Sequence, residues 1–218
     1  MNVAEKALGL LFPQKKESRK ITVKYSRAFQ DFNANVHYDW HNIQFRLSHK
    51  WKDVDEDLQI GVIQSLLLRI YKKKKESEYV DLYNSFVKKL STYSKVDKSD
   101  PILETSFHRV NEEYFNGMMD RPNLVWGSGS ATQLGHYEYA RDTITISTIF
   151  KNHQELLDYI MYHELLHKKL KFYDKNGRSY HHTHKFRQLE KKFKNPNIEK
   201  ELDEFLRKHK MKNLFRFW

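Results

Sequence analysis

The chain has 218 residues, 39% of them hydrophobic and 14% aromatic, enough to fill one large or two small cores. It contains no cysteine, which excludes disulfides, zinc ribbons and thiol nucleophiles and leaves His, Asp and Glu as the only ligands for a metal. The net charge of +11 is concentrated at Lys72 to Lys75, Lys168 to Lys171, Lys185 to Lys194 and Arg207 to Lys212, the footprint of a polyanion binder, although solvated lysine-rich faces give the same count.

In chain order, "MNVAEKALGLLFPQKK" comes first. Glu5 ahead of its apolar stretch, and the lack of a small-residue cleavage site after it, predict no secretory signal. Apolar runs of only a handful of residues predict no membrane span, so a cytoplasmic protein is expected, with nucleoid association compatible with its charge. The polar stretch "STYSKVDKSDP" (91 to 101) ends in Asp-Pro and marks a boundary between halves 1–98 and 99–218. "PILETSFHRVNEEYFNG" (101 to 117) starts with Pro, places Ile102, Leu103, Phe107, Val110, Tyr114 and Phe115 at helical spacing and stops at Gly117, predicting a helix. Three short strands follow, "NLVWG" (123 to 127), "LGHYEYA" (134 to 140) and "TITIS" (143 to 147), with "ARDT" as the turn between the last two.

The next helix carries "YIMYHELLHKKL" (159 to 170), in which His163, Glu164 and His167 form His-Glu-x-x-His. Leu156, Ile160, His163, His167 and Leu170 share one face, so two imidazoles interrupt an inward stripe one turn apart and are able to share a cation. Glu164 lies about 100° around the wheel, within reach of a metal-bound water. The competing reading makes both His ordinary half-buried residues and pairs Glu164 with Lys168 at i, i+4. Downstream, "SYHHTHKFRQLEKKF" (179 to 193) supplies three more His on what reads as a second amphipathic helix, with Phe186, Leu189 and Phe193 inward.

From residue 101 to about 195 the order "NLVWG", "LGHYEYARDTITIS", "HELLH", "HTHKF" resembles the SprT-like zinc metallopeptidases, which include the Spartan proteases that degrade proteins crosslinked to DNA. That family has a Trp-containing strand and a Gly-x-Tyr-like strand before His-Glu-x-x-His, and a third ligand in His-Gly-x-x-Phe. The resemblance implies an α+β, zincin-like fold, a small antiparallel sheet packed on the helix bearing the motif. It further implies Zn2+ held by His163, His167 and His182, with Glu164 as the catalytic base. His182 is matched because it stands four residues before Phe186; Thr183 replaces the family's Gly, and His184 and Glu190 remain alternatives for the third ligand. The implied activity is hydrolysis of a protein or peptide substrate by a metal-activated water, near DNA bound through the basic surface. Tyr180 or Tyr137 could stabilise an oxyanion. A metal-dependent hydrolase of a non-protein substrate and a basic nucleic-acid-binding module with a structural His cluster are the alternatives.

Shifting the first half by about 99 residues brings 36 to 70 over 135 to 169. His37 then meets His136, Tyr38 meets Tyr137, Ser48 meets Ser147, and, after a one-residue gap, Leu67 and Leu68 meet Leu165 and Leu166. Two tandem copies of one unit are expected, the first degenerate: Ser65, Arg69 and Leu82 stand at the ligand positions and Leu66 at the base, so this half should bind no zinc. The apolar tail Leu214, Phe215, Phe217 and Trp218 is expected to dock on the body, or to restrain the enzyme from within the substrate groove.

Overall fold

The computed structural model describes residues 1–29, 32–90, 96–175 and 178–215. Phe217 and Trp218 of the tail lie outside the described residues, as do residues 91 to 95 of the expected linker. The chain divides into two units, residues 1–91 with 173–180, and residues 92–172 with 181–218. Among the described residues no helix is long and apolar enough to cross a membrane.

The first unit opens with α1 (Val3–Leu11), started by an Asn2 capping box in which the Asn2 side chain accepts from Ala4 and Glu5 while Glu5 reaches back to the Asn2 N–H. Strands β1 (Lys20–Ser26), β2 (Ala34–Tyr38) and β3 (Asn42–Ser48) form a sheet of order β1-β3-β2, β1 parallel and β2 antiparallel to β3. Ile43, Phe45 and Leu47 alternate along β3 onto the core face, where they meet α2 (Glu56–Ile70) and Trp51; α3 (Glu78–Leu90) completes this core.

The second unit repeats this order. Helix α4 (Pro101–Phe115) begins with Pro101 behind an Asp100 cap and ends where Asn116 and Gly117 take left-handed φ of 55° and 69°. Strands β4 (Asn123–Trp126), β5 (Gly135–Glu138) and β6 (Thr143–Ile146) form a sheet of order β4-β6-β5, again with the first strand parallel and the second antiparallel to the third. The sheet is therefore mixed, not antiparallel as expected: after β4 the chain passes beyond β6 to lay β5 on its far side, which leaves β4 and β6 running the same way. Helix α5 (Gln154–Leu170) packs on α4 and the sheet, with Leu157, Met161, Leu165 and Leu166 fully buried. A hairpin, β7 (Tyr173–Lys175) with β8 (Arg178–Tyr180), counted with the first unit, comes next in the chain, and the second unit resumes with α6 (His184–Glu190) and α7 (Ile198–Phe215). The expected helix at 179 to 193 is shortened at both ends, since Ser179 and Tyr180 are strand and His181 and His182 precede the Thr183 cap.

The two sheets correspond most closely when buried Ser48 and Ser147 are set together, each donating its N–H across the sheet, to Asn33 O at 2.9 Å and Leu134 O at 2.8 Å. Phe45 then matches Ile144, and their partners Val36 and Tyr137 match each other, so the sequence pairing of Tyr38 with Tyr137 is off by two. The reason is hairpin length: six residues separate His37 from Gln44 in the first unit, four separate Glu138 from Thr143 in the second. On the helices the sequence pairing coincides with burial, and Leu66 and Glu164 are each 4% exposed.

Candidate metal centre

Helix α5 presents His163 and His167 one turn apart, and the loop before α6 presents His182. The three Nε2 atoms form a nearly equilateral triangle: 3.2 Å between His163 and His167, 3.3 Å between His163 and His182, 3.2 Å between His167 and His182. A tetrahedral ion bound at about 2.0–2.1 Å spaces its ligand nitrogens about 3.3–3.4 Å apart, so the triangle fits one metal ion. Exposed His184 opens α6 and is not part of the cluster.

Local chemistry explains how His182 is held. Thr183 has φ −71°, which any residue adopts, and its hydroxyl accepts from the Phe186 N–H at 3.2 Å, so Thr in place of the family's Gly acts as the cap that starts α6. That start turns Phe186, fully buried, under all three imidazoles, with ring centroids 5.1, 4.6 and 4.9 Å from His163, His167 and His182. Burying a Phe contributes about 1.5–3 kcal/mol, which couples the ligand loop to the core.

Glu190 does not join the ligands. Its Oε1 lies 2.6 Å from His163 Nδ1. Burial alone would raise the Glu190 pKa, but the His163 hydrogen bond together with electrostatic attraction from His163 and His182 outweighs it and holds the carboxyl below its usual range. Burial likewise opposes charge on His163, and the Glu190 hydrogen bond with the nearby Glu164 and Glu190 charges overrides it, raising the imidazole. Desolvation followed by the neighbouring imidazoles pushes His167 down to about 3 and lowers His182, so both are neutral and able to donate a lone pair.

Glu164 lies beneath strand β5. It is 4% exposed, takes one hydrogen bond from the Tyr137 backbone, and its Oε2 has no partner among the described residues. Burial pushes its pKa up to about 7, in the range suited to moving a proton at neutral pH. The alternative pairing with Lys168 does not occur: Lys168 bonds both oxygens of buried Asp142 at 2.5 Å, and the Tyr137 hydroxyl donates to the same carboxylate at 2.7 Å. Asp142 thus ties the hairpin turn to α5, with the Tyr137 hydroxyl engaged on it, and Tyr180 sits 41% exposed in β8. Gly135, beside Tyr137, is the position sequence reasoning passed over. A Cβ there would lie 2.7 Å from Glu164 Oε1 and 2.9 Å from Ile160 Cγ2, so only glycine leaves the carboxylate its room.

Residues 103–204 match the model of the SprT-like family. No curated protein and no solved structure matches the chain. The matched segment begins inside α4 and runs into α7, so it holds the whole His cluster, Glu164 and Glu190, and residues 1–91 lie outside it.

Proposed function

We propose that the chain is a zinc metallopeptidase whose second unit has a zincin-like arrangement and whose first unit is a degenerate tandem copy. The observation that carries this reading is a buried, partly unpartnered carboxylate one residue along the helix from three converging imidazole nitrogens. Three protein ligands leave a fourth tetrahedral position open, which suits catalysis better than a structural site closed by four.

His163, His167 and His182 would hold the ion, which when bound supplies a Lewis acid and acidifies water. Glu164 takes the proton of the attacking water and returns it to the leaving amine nitrogen as the peptide bond breaks. Burial beside Gly135 and Ile160 keeps that carboxylate in its proton-accepting range near neutrality. The degenerate-copy reading is supported by the shared strand order and by Leu66 at the buried position of Glu164.

We place the substrates among proteins held on DNA in the cytoplasm, on the strength of the basic charge and one surface of the first unit. The outward face of the first sheet carries Lys20, Lys24, His37 and Arg46 with Thr22, Asn35, Asn42 and Gln44, and no acid. Lys24 and Arg46 are register partners, a like-charge pair that a polyanion would relieve. The longer hairpin ends in Trp40, 93% exposed, in a turn fixed by Asp39 Oδ1 accepting from His41 and Asn42 at 2.7 Å.

Cleavage of a protein bound to single-stranded DNA, with the zinc content of wild type and Glu164→Gln measured alongside, tests the reading. One zinc per chain in both, with cleavage lost in the variant, is expected; no zinc in the wild type after zinc is offered would overturn it.

A further inference from the structure

We infer that Glu190 is the positioning residue of the metal centre, fixing His163 in the tautomer that binds the ion. This rests on the metal-centre reading and goes beyond it by assigning a residue outside the His-Glu-x-x-His motif and its third His. A carboxylate oxygen accepts, so the hydrogen in the 2.6 Å contact belongs to His163 Nδ1. Nε2 is then left with its lone pair, and Nε2 is the atom that faces His167 and His182.

Several contacts hold Glu190 where it can do this. It is the last residue of α6, with its side chain 16% exposed. The Tyr162 hydroxyl donates to the adjoining Leu189 carbonyl at 2.6 Å, pinning the end of α6 to α5, and the Tyr159 hydroxyl approaches Glu190 Oε1 at 3.5 Å. One short segment, from His182 through the Thr183 cap to Glu190, therefore supplies the third ligand and orients the first. His167 has no such aid, since its Nδ1 lacks a partner among the described residues, so the tautomeric order of the site depends on Glu190.

Carboxylates placed behind a ligating His commonly contribute about 10–100-fold in metal affinity. Zinc dissociation constants from competition with a chromophoric chelator, on the full chain, should weaken by about that factor in Glu190→Ala. Glu190→Gln, which keeps an acceptor without the charge, should fall between Ala and wild type, and melting of the metal-free protein should change little in either. Imidazole nitrogen NMR of the metal-free wild type should show His163 protonated at Nδ1, with that preference lost in Glu190→Ala. Wild type that binds zinc beside a Glu190→Ala variant of equal affinity would overturn this inference alone, as would a His163 protonated at Nε2 in the metal-free wild type. A wild type that binds no zinc would overturn the metal centre itself.

Discussion

Replacing Gly135 by Ala tests whether strand β5 keeps space for the working carboxylate. The new methyl carbon would stand 2.9 Å from Ile160 Cγ2 and 3.2 Å from Glu164 Cγ. Carbon atoms prefer about 3.5–4.0 Å, so Ile160 would have to retreat by about 0.6–1.1 Å and Glu164 by about 0.3–0.8 Å. Neither has slack, because Ile160 and Glu164 are 5% and 4% exposed. Overpacking of this kind costs about 1–3 kcal/mol of stability, and misplacing a catalytic group by about 1 Å costs on the order of 100-fold in rate. The His triangle is untouched by the methyl, so zinc affinity should stay within a few-fold of wild type. Peptidase rate, zinc affinity and urea midpoint are measured together, with Gly129→Ala as control, where the nearest atom is Thr148 Oγ1 at an ordinary 3.5 Å. A Gly135→Ala enzyme that is folded, loaded and as fast as wild type would refute the assignment of Glu164 as the proton carrier in this pocket.

Zinc content by elemental analysis should fall below one per chain in His182→Ala and stay at one in His184→Ala; the reverse result would move the third ligand onto α6. Trp40→Ala should weaken binding of a labelled single-stranded oligonucleotide about 5- to 100-fold at low salt, and Lys24→Ala should lower the salt slope by about 1; unchanged binding in both would remove the first sheet as the nucleic-acid surface. In the first unit, hydrogen bonds from Arg19 and then Tyr71, against the opposing effect of burial, hold Glu17 down to about 2. A depressed carboxylate contributes stability above its unfolded pKa of about 4.5 that is lost as pH falls towards 2. With solvent screening at this partly exposed pair, Glu17→Gln should cost about 1 kcal/mol at pH 7 and almost nothing near pH 2, read from urea denaturation at both pH values; an equal cost at both would show that the charge is irrelevant.

The motif helix and both strands of the second hairpin were legible because their information is local. A stripe at 156, 160, 163, 167 and 170 fixes a helix face, and "ARDT" between alternating residues fixes a turn. What stayed hidden depends on which elements meet. The parallel pairing of β4 with β6 needs the path of the loop between β4 and β5, which apolar alternation does not encode. Glu190 read as a remote ligand candidate because its contact with His163 exists only once α6 lies against α5. The slip of two residues between the halves came from matching Tyr38 with Tyr137 by identity, when buried Ser48 and Ser147 keep the register and the hairpins differ in length.

Leu66 and Glu164 occupy the same buried place on two helices of similar design. A leucine there adds packing, whereas a carboxylate with a lone oxygen in the dark interior subtracts from it. In metal-free protein the two halves should therefore part company on heating, the half with the leucine outlasting the half with the glutamate. Calorimetry of the apo form would then show a weaker transition belonging to the SprT-like segment, and Glu164→Leu would move that transition upward. On that expectation the first half serves as the thermal anchor of the chain, and the buried glutamate sets the temperature at which the second half gives way.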